Sequence, residues 1–127
     1  MTIWLAVAAG GAIGSMFRYG IGQLTINILG APTIVSTLAV NVSGSFLLGL
    51  FYTLCNDRIV TSIEIRVLIG VGLIGGYTTF STFSFETIKL LESGESIKAL
   101  ANISGNLLLG ISAAYIGIYI GKVFNFS

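Results

Sequence analysis

Gly72-Leu73-Ile74-Gly75-Gly76-Tyr77-Thr78-Thr79-Phe80-Ser81-Thr82-Phe83-Ser84 lies in the middle of a long apolar stretch, Ile65 to Leu91. As one straight helix that stretch would measure about 40 Å, against a hydrocarbon core of about 30 Å. Paired glycines followed by a cluster of hydroxyl side chains make a poor lipid-facing helix. The pattern predicts a break near Gly75 to Thr78. Irregular backbone at membrane depth is tolerated only where protein or a cavity covers it, and its freed carbonyls can hold a cation. A plain glycine kink fits the same residues, and the sequence leaves both readings open.

Three further stretches reach the roughly 20 apolar residues that a membrane crossing needs: Ile3 to Leu29, Ile34 to Cys55 and Ile97 to Val123. The expected fold is therefore an all-α membrane protein of four transmembrane helices. The spans fall at about 3–29, 34–55, 65–91 and 97–123, in one domain over residues 1–127. Composition agrees. Charged residues make up 9% of the 127, where a soluble domain carries about 25%. Mean hydropathy is +0.96, more than a small water-soluble fold could hide. No Lys or Arg precedes the first apolar run, which reads as a retained helix and not as a cleaved signal. Gly94 marks the turn between the third and fourth spans.

Several classes drop out. A net charge of +1 provides no field for nucleic acid. The chain has no His, and Cys55 is its only cysteine, so imidazole catalysis, thiolate metal cages and internal disulfides are absent. No nucleophile, base and orienting group fall at plausible spacing, so an enzyme is not expected. Gly70-Val71-Gly72-Leu73-Ile74-Gly75 matches a dinucleotide fingerprint, but that motif needs a preceding strand and a soluble sheet. Asn41-Val42-Ser43 and Asn102-Ile103-Ser104 match a glycosylation pattern yet lie inside spans.

An even number of spans places both termini on one side. Arg58, Arg66 and Lys122 fall on that side, and Arg18, Lys89 and Lys98 on the other. The tie either leaves orientation unencoded or permits both orientations, and hence an antiparallel homodimer. Gly10/Gly14, Gly72/Gly76 and Gly117/Gly121 stand four residues apart, a spacing that lets helix backbones approach closely in lipid. Four helices of this size make a thin bundle, so self-association is expected.

Polar residues recur on helical faces inside the spans. Thr37, Asn41 and Ser45 share one face of the second span, and Asn102 and Asn106 one face of the fourth. In the third, Phe80 and Phe83 share a face, with Ser81, Thr82 and Ser84 around them. Such residues can serve as interhelical glue; three separate stripes in a short chain favour a lined path. Its chemistry is amide, hydroxyl and phenyl edge, which suits an anion. With no acid in mid-membrane, a passive path is favoured over a proton-driven pump. Nearer the ends, Arg18 could draw anions into a vestibule or snorkel to the interface. Glu86 could act in the path or pair with Lys89 one turn on.

With these residues assembled, the chain resembles the Fluc/CrcB family of fluoride channels. The resemblance runs through Gly10-Gly11-Ala12-Ile13-Gly14 to Arg18-Tyr19, Thr37-Leu38-Ala39-Val40-Asn41-Val42-Ser43-Gly44, and Gly75 to Ser84 with Glu86. The resemblance implies an antiparallel, dual-topology homodimer in the cell membrane, in bacteria the inner membrane, with two fluoride pores that export cytoplasmic fluoride. It implies Phe80 and Phe83 as pore-lining rings, Asn41 as the pore asparagine, and Ser81 and Thr82 as hydroxyls beside the rings. Glu86 would stand at a pore end and Arg18 in the vestibule. Gly75 and Thr78 would offer backbone carbonyls, from both subunits, to a central structural sodium ion. Asn102 and Asn106 are the expected pore residues of the fourth span. The partners implied are fluoride, membrane lipid and a second copy of the chain, with no nucleic acid.

Two other readings compete. A small multidrug transporter also has four helices, but needs an embedded glutamate in its first span, where this chain has only Arg18. A non-conducting assembly subunit would use the stripes as glue.

Overall fold

The computed structural model describes residues 2–57 and 62–125, and these are helical apart from caps and short connections. Arg58, counted above on the terminal side, lies outside the described residues. The first helix is Ile3–Asn27 and the second Thr33–Asp57. The third span runs from Ile63 to Glu92 and the fourth from Ser96 to Phe124. Gly30 and Gly94 close the two short connections at φ 62° and 77°, backbone that a side chain would strain. After Gly94 the Glu95 N–H reaches back to Leu90 O at 2.8 Å, ending the third span in a glycine C-cap.

Glycine determines which helices touch. The first helix lies on the first half of the third span. A Cβ on Gly10 would fall 2.0 Å from the Leu68 carbonyl oxygen, and one on Gly14 2.0 Å from that of Leu73. From the other side, Gly72 and Gly76 press on Val7 O and Gly11 O. The second helix packs against the fourth span in the same manner. There Gly49 meets Ala114 O, and Gly117 meets Phe46 O. Backbones this close gain dispersion contact that lipid cannot supply.

The distribution of apolar side chains is inside out relative to a water-soluble protein. The buried apolar residues are mostly small, among them Ala6, Val40 and Ala99, while Trp4 is 85% and Ile97 86% exposed. Such a surface would aggregate in water and is correct in lipid. The second helix and the third and fourth spans are long and apolar enough to cross a bilayer. The first, at 25 residues, is long enough. Its apolar character is diluted by Arg18, Gln23 and five glycines, and its glycine face seats it on the third span. The protein is a multi-pass membrane protein.

The middle of the third span departs from regular α-helix twice. Val67–Ile74 is wound wide, and the Gly75 N–H reaches Gly70 O five residues back. Gly75–Tyr77 then returns to α-helix. Thr78 (φ −85°, ψ 161°) and Thr79 (φ −153°, ψ 116°) are extended, and helix resumes at Phe80–Glu92. The irregular pair thus falls at the C-terminal edge of the Gly75–Thr78 window and one residue beyond it. The glycines serve close approach to the first helix instead. The fourth span carries a shorter wide turn, Gly105–Leu109.

Candidate functional site

Thr79 has two roles. Its side chain caps the new helix by accepting from Thr82 N at 3.2 Å, and it lies within 3.3 Å of the Ser81 hydroxyl. Its peptide group pairs with the second helix. Asn41 Nδ2 donates to Thr79 O at 3.0 Å, and Thr79 N–H donates to Asn41 Oδ1 at 2.8 Å. The asparagine amide thus imitates a neighbouring strand for one residue of extended backbone. Just past this cap, the Phe80 and Phe83 rings lie 5.5 Å apart, tilted by 59°. Phe83 is buried and Phe80 is 74% exposed on the single chain.

The asparagines of two helices meet beside this point. Asn41 Nδ2 also donates to Asn106 Oδ1 at 2.9 Å; Asn106 Nδ2 donates to Asn102 O and Oδ1 at 3.0 and 3.1 Å. Asn102 Nδ2 continues to Thr87 Oγ1 at 3.0 Å, and Thr87 donates to Phe83 O at 2.8 Å. Asn102 and Asn106 are buried. The expectation that these amides offer N–H groups to an anion meets a geometry in which they serve one another.

Glu86 is 8% exposed, and its Oε1 accepts from the Thr37 hydroxyl at 3.0 Å. Its Oε2 is buried without a hydrogen-bond partner among the described residues. The alternative pairing with Lys89 does not form, because Lys89 Nζ binds Glu92 at 2.7 Å. Arg18 does not snorkel freely, since its Nη1 donates to the Thr78 carbonyl at 3.2 Å.

These groups wall separate cavities placed along the second helix. One of about 560 Å³ is lined by Arg18, Tyr19, Thr37, Thr79, Thr82 and Glu86. A second, about 240 Å³, shares Thr79 with it and adds Asn41, Ser45, Thr78, Phe80 and Asn106. A third, about 420 Å³, shares Ser45 and Leu48 with the second and continues past Tyr52 and Thr53 to Asn56. The sequence pattern does not single out Thr79, Tyr52, Thr53 or Asn56. Thr79 stands in the quoted run as one of five Ser and Thr hydroxyls, with no local sign that its peptide needs a partner.

Residues 5–118 match the family described as CrcB-like protein, Camphor Resistance (CrcB). The chain belongs to the CrcB family. Its relatives include proteins named fluoride-specific ion channel FluC. One from Thermus thermophilus is 46% identical over 121 residues, 95% of this chain and 96% of the relative. That from Shewanella amazonensis is 48% identical over 113 residues, 89% and 90% of the two chains. That from Hydrogenovibrio crunogenus is 42% identical over 120 residues, 94% and 91%. These relatives of the CrcB chain are named as channels and not as enzymes.

The family resemblance implies a sodium ion on the carbonyls of Gly75 and Thr78. Gly75 O fits, because the Thr79 N–H that would close a helical turn onto it goes to Asn41; the Thr78 hydroxyl reaches it at 3.5 Å. Thr78 O fits by chemistry, but Arg18 already donates to it. Hard cations commonly take about six oxygen ligands, so two carbonyls from one chain complete a shell only with further donors.

Proposed function

We propose that this CrcB chain is a passive fluoride-selective channel that exports cytoplasmic fluoride. The observation that carries the reading is the helix start at Phe80. There the positive end of a helix, two phenyl rings and the Ser81 and Thr82 hydroxyls lie together, beside two cavities that share Thr79 in their walls. A small anion entering there loses water and gains hydroxyl donors, ring edges and unpaired helix N–H groups. Thr82 accepts the Thr79 hydroxyl at 3.0 Å, which frees its own hydrogen for an anion. Arg18 brings a positive charge to the wall of the wider cavity, which Glu86 also lines. Hydrogen fluoride enters a cell as the neutral acid and dissociates inside; the trapped anion leaves down its gradient.

The working unit in this reading is an antiparallel homodimer with two pores. Its support is polarity left uncovered on the single chain. Ser43 and Tyr77 join hydroxyls at 3.0 Å on an exposed face, and Gly75 and Phe80 are exposed near them. At membrane depth such groups call for a protein cover, and a second copy would also bring further carbonyls toward a central sodium ion. When bound, that ion would supply positive charge at the centre of the assembly, held by Gly75 and Thr78 of each chain.

The test is fluoride efflux from liposomes holding the purified protein, followed with a fluoride electrode and with chloride as control. Fast fluoride release without chloride release supports a selective channel. Well-folded dimer that releases no fluoride overturns the reading.

A further inference from the structure

Asn41, Asn106 and Asn102 form an unbroken chain that starts and ends on the same helix. It begins at the Thr79 peptide, just before Phe80, crosses the second helix at Asn41, and passes along the fourth span through Asn106 and Asn102. It returns at Thr87, whose hydroxyl is bonded to Phe83 O. An asparagine amide has two N–H donors. For Asn41 both are engaged, one on Thr79 O and one on Asn106 Oδ1. Asn102 and Asn106 are more than nine-tenths buried, so their unmet hydrogen bonds would have no water to fall back on. The apolar turn Leu107 to Leu109 follows at once, with all three side chains exposed.

We propose that Asn106 and Asn102 are positioning residues. Acting through Asn41, they hold the extended Thr79 backbone, and with it the Phe80 and Phe83 rings, in one arrangement; they do not themselves ligate the permeating ion. The inference rests on the channel reading for its consequence in transport, while its structural part stands on the hydrogen-bond chain alone. Loss of Asn106 leaves one Asn41 N–H unpaired and lets the Asn41 amide swing off Thr79. The helix cap then loses its fixed start, and the rings lose their register.

The experiment pairs backbone amide exchange at Thr79 with fluoride flux against fluoride concentration, on wild type and Asn106→Leu. We expect Thr79 exchange to rise roughly tenfold or more, as local opening becomes easier. The maximum fluoride rate should fall while the half-saturating fluoride concentration stays unchanged. Unchanged Thr79 exchange overturns the proposal. So does a half-saturating concentration raised severalfold, the signature of a lost ion ligand. Should Asn106→Leu not fold, Asn106→Ala decides on the same two readings, because it removes the same acceptor from Asn41 without adding bulk. A wild type without fluoride flux sinks the channel reading and leaves the exchange result to judge the positioning role.

Discussion

The Thr37 hydroxyl and the Glu86 carboxylate, 49 positions apart, meet at 3.0 Å in the interior of the bundle. Thr37 has one hydrogen to give, and Thr33 O competes for it at 3.2 Å. The other carboxylate oxygen of Glu86 has no partner among the described residues. Thr37→Val keeps the side chain's shape and removes this donor. The expected result is a loss of about 1–3 kcal/mol in stability, read as a lower melting temperature in detergent. In a Glu86→Gln background, with no carboxylate left to desolvate, the same change should matter less. Equal losses in both backgrounds would mean that the Thr37–Glu86 bond contributes nothing.

Phe80 and Phe83 differ in burial, and their variants should differ accordingly. Phe80 is 74% exposed and Phe83 8%. Phe80→Ala is expected to reduce fluoride efflux while the melting temperature holds. Phe83→Ala should reduce efflux and also destabilise the protein by roughly 3–5 kcal/mol, the range for emptying a buried aromatic site. Wild-type efflux from both variants would remove the rings from the path.

Gly14 and Gly20 lie on one helix with opposite surroundings. A methyl on Gly14 would meet backbone, 2.0 Å from Leu73 O; a methyl on Gly20 would meet nothing within 4 Å. Gly14→Ala should force the first and third helices apart, at a loss of about 1–3 kcal/mol. Gly20→Ala should be neutral or stabilising, since alanine is the better helix former. Similar melting curves for the two variants would contradict the packing.

Arg18 and a bound cation would compete for one oxygen. The Thr78 carbonyl accepts from Arg18 at 3.2 Å, and like charges at that distance exclude each other. Arg18→Ala should therefore enlarge the rise in melting temperature on replacing choline by sodium at constant ionic strength, because a ligand that binds only the folded state stabilises it. Identical melting in sodium and choline, for wild type and variant alike, would leave no role for sodium at these carbonyls.

Much of this architecture is readable from one-dimensional pattern. Apolar runs locate the four helices within a few residues of their ends, because hydrophobic length is a local property. Gly94 is visible as a turn for the same reason. The glycine pairs at four-residue spacing mark the faces where helices approach, and Gly10, Gly14, Gly72 and Gly76 do meet backbone there. Phe80 and Phe83 are neighbours by helical period alone. Nothing in the pattern anticipates the wide-wound Val67–Ile74, and the extended pair, Thr78 and Thr79, overlaps the Gly75 to Thr78 window by one residue only.

Sequence pattern alone suffices to recognise a multi-pass membrane protein with polar stripes that lipid would not tolerate uncovered. The physical reason is that desolvation acts on each segment separately, so composition and period suffice. Only the tertiary structure decided the partners: Glu86 with Thr37 and not Lys89, Arg18 with the Thr78 carbonyl, and Asn41 with Thr79 and Asn106. Each of those bonds joins residues 38 to 65 positions apart. A hydrogen bond is satisfied or lost over a few tenths of an ångström, and that distance depends on how closely the glycine faces let the helices cross.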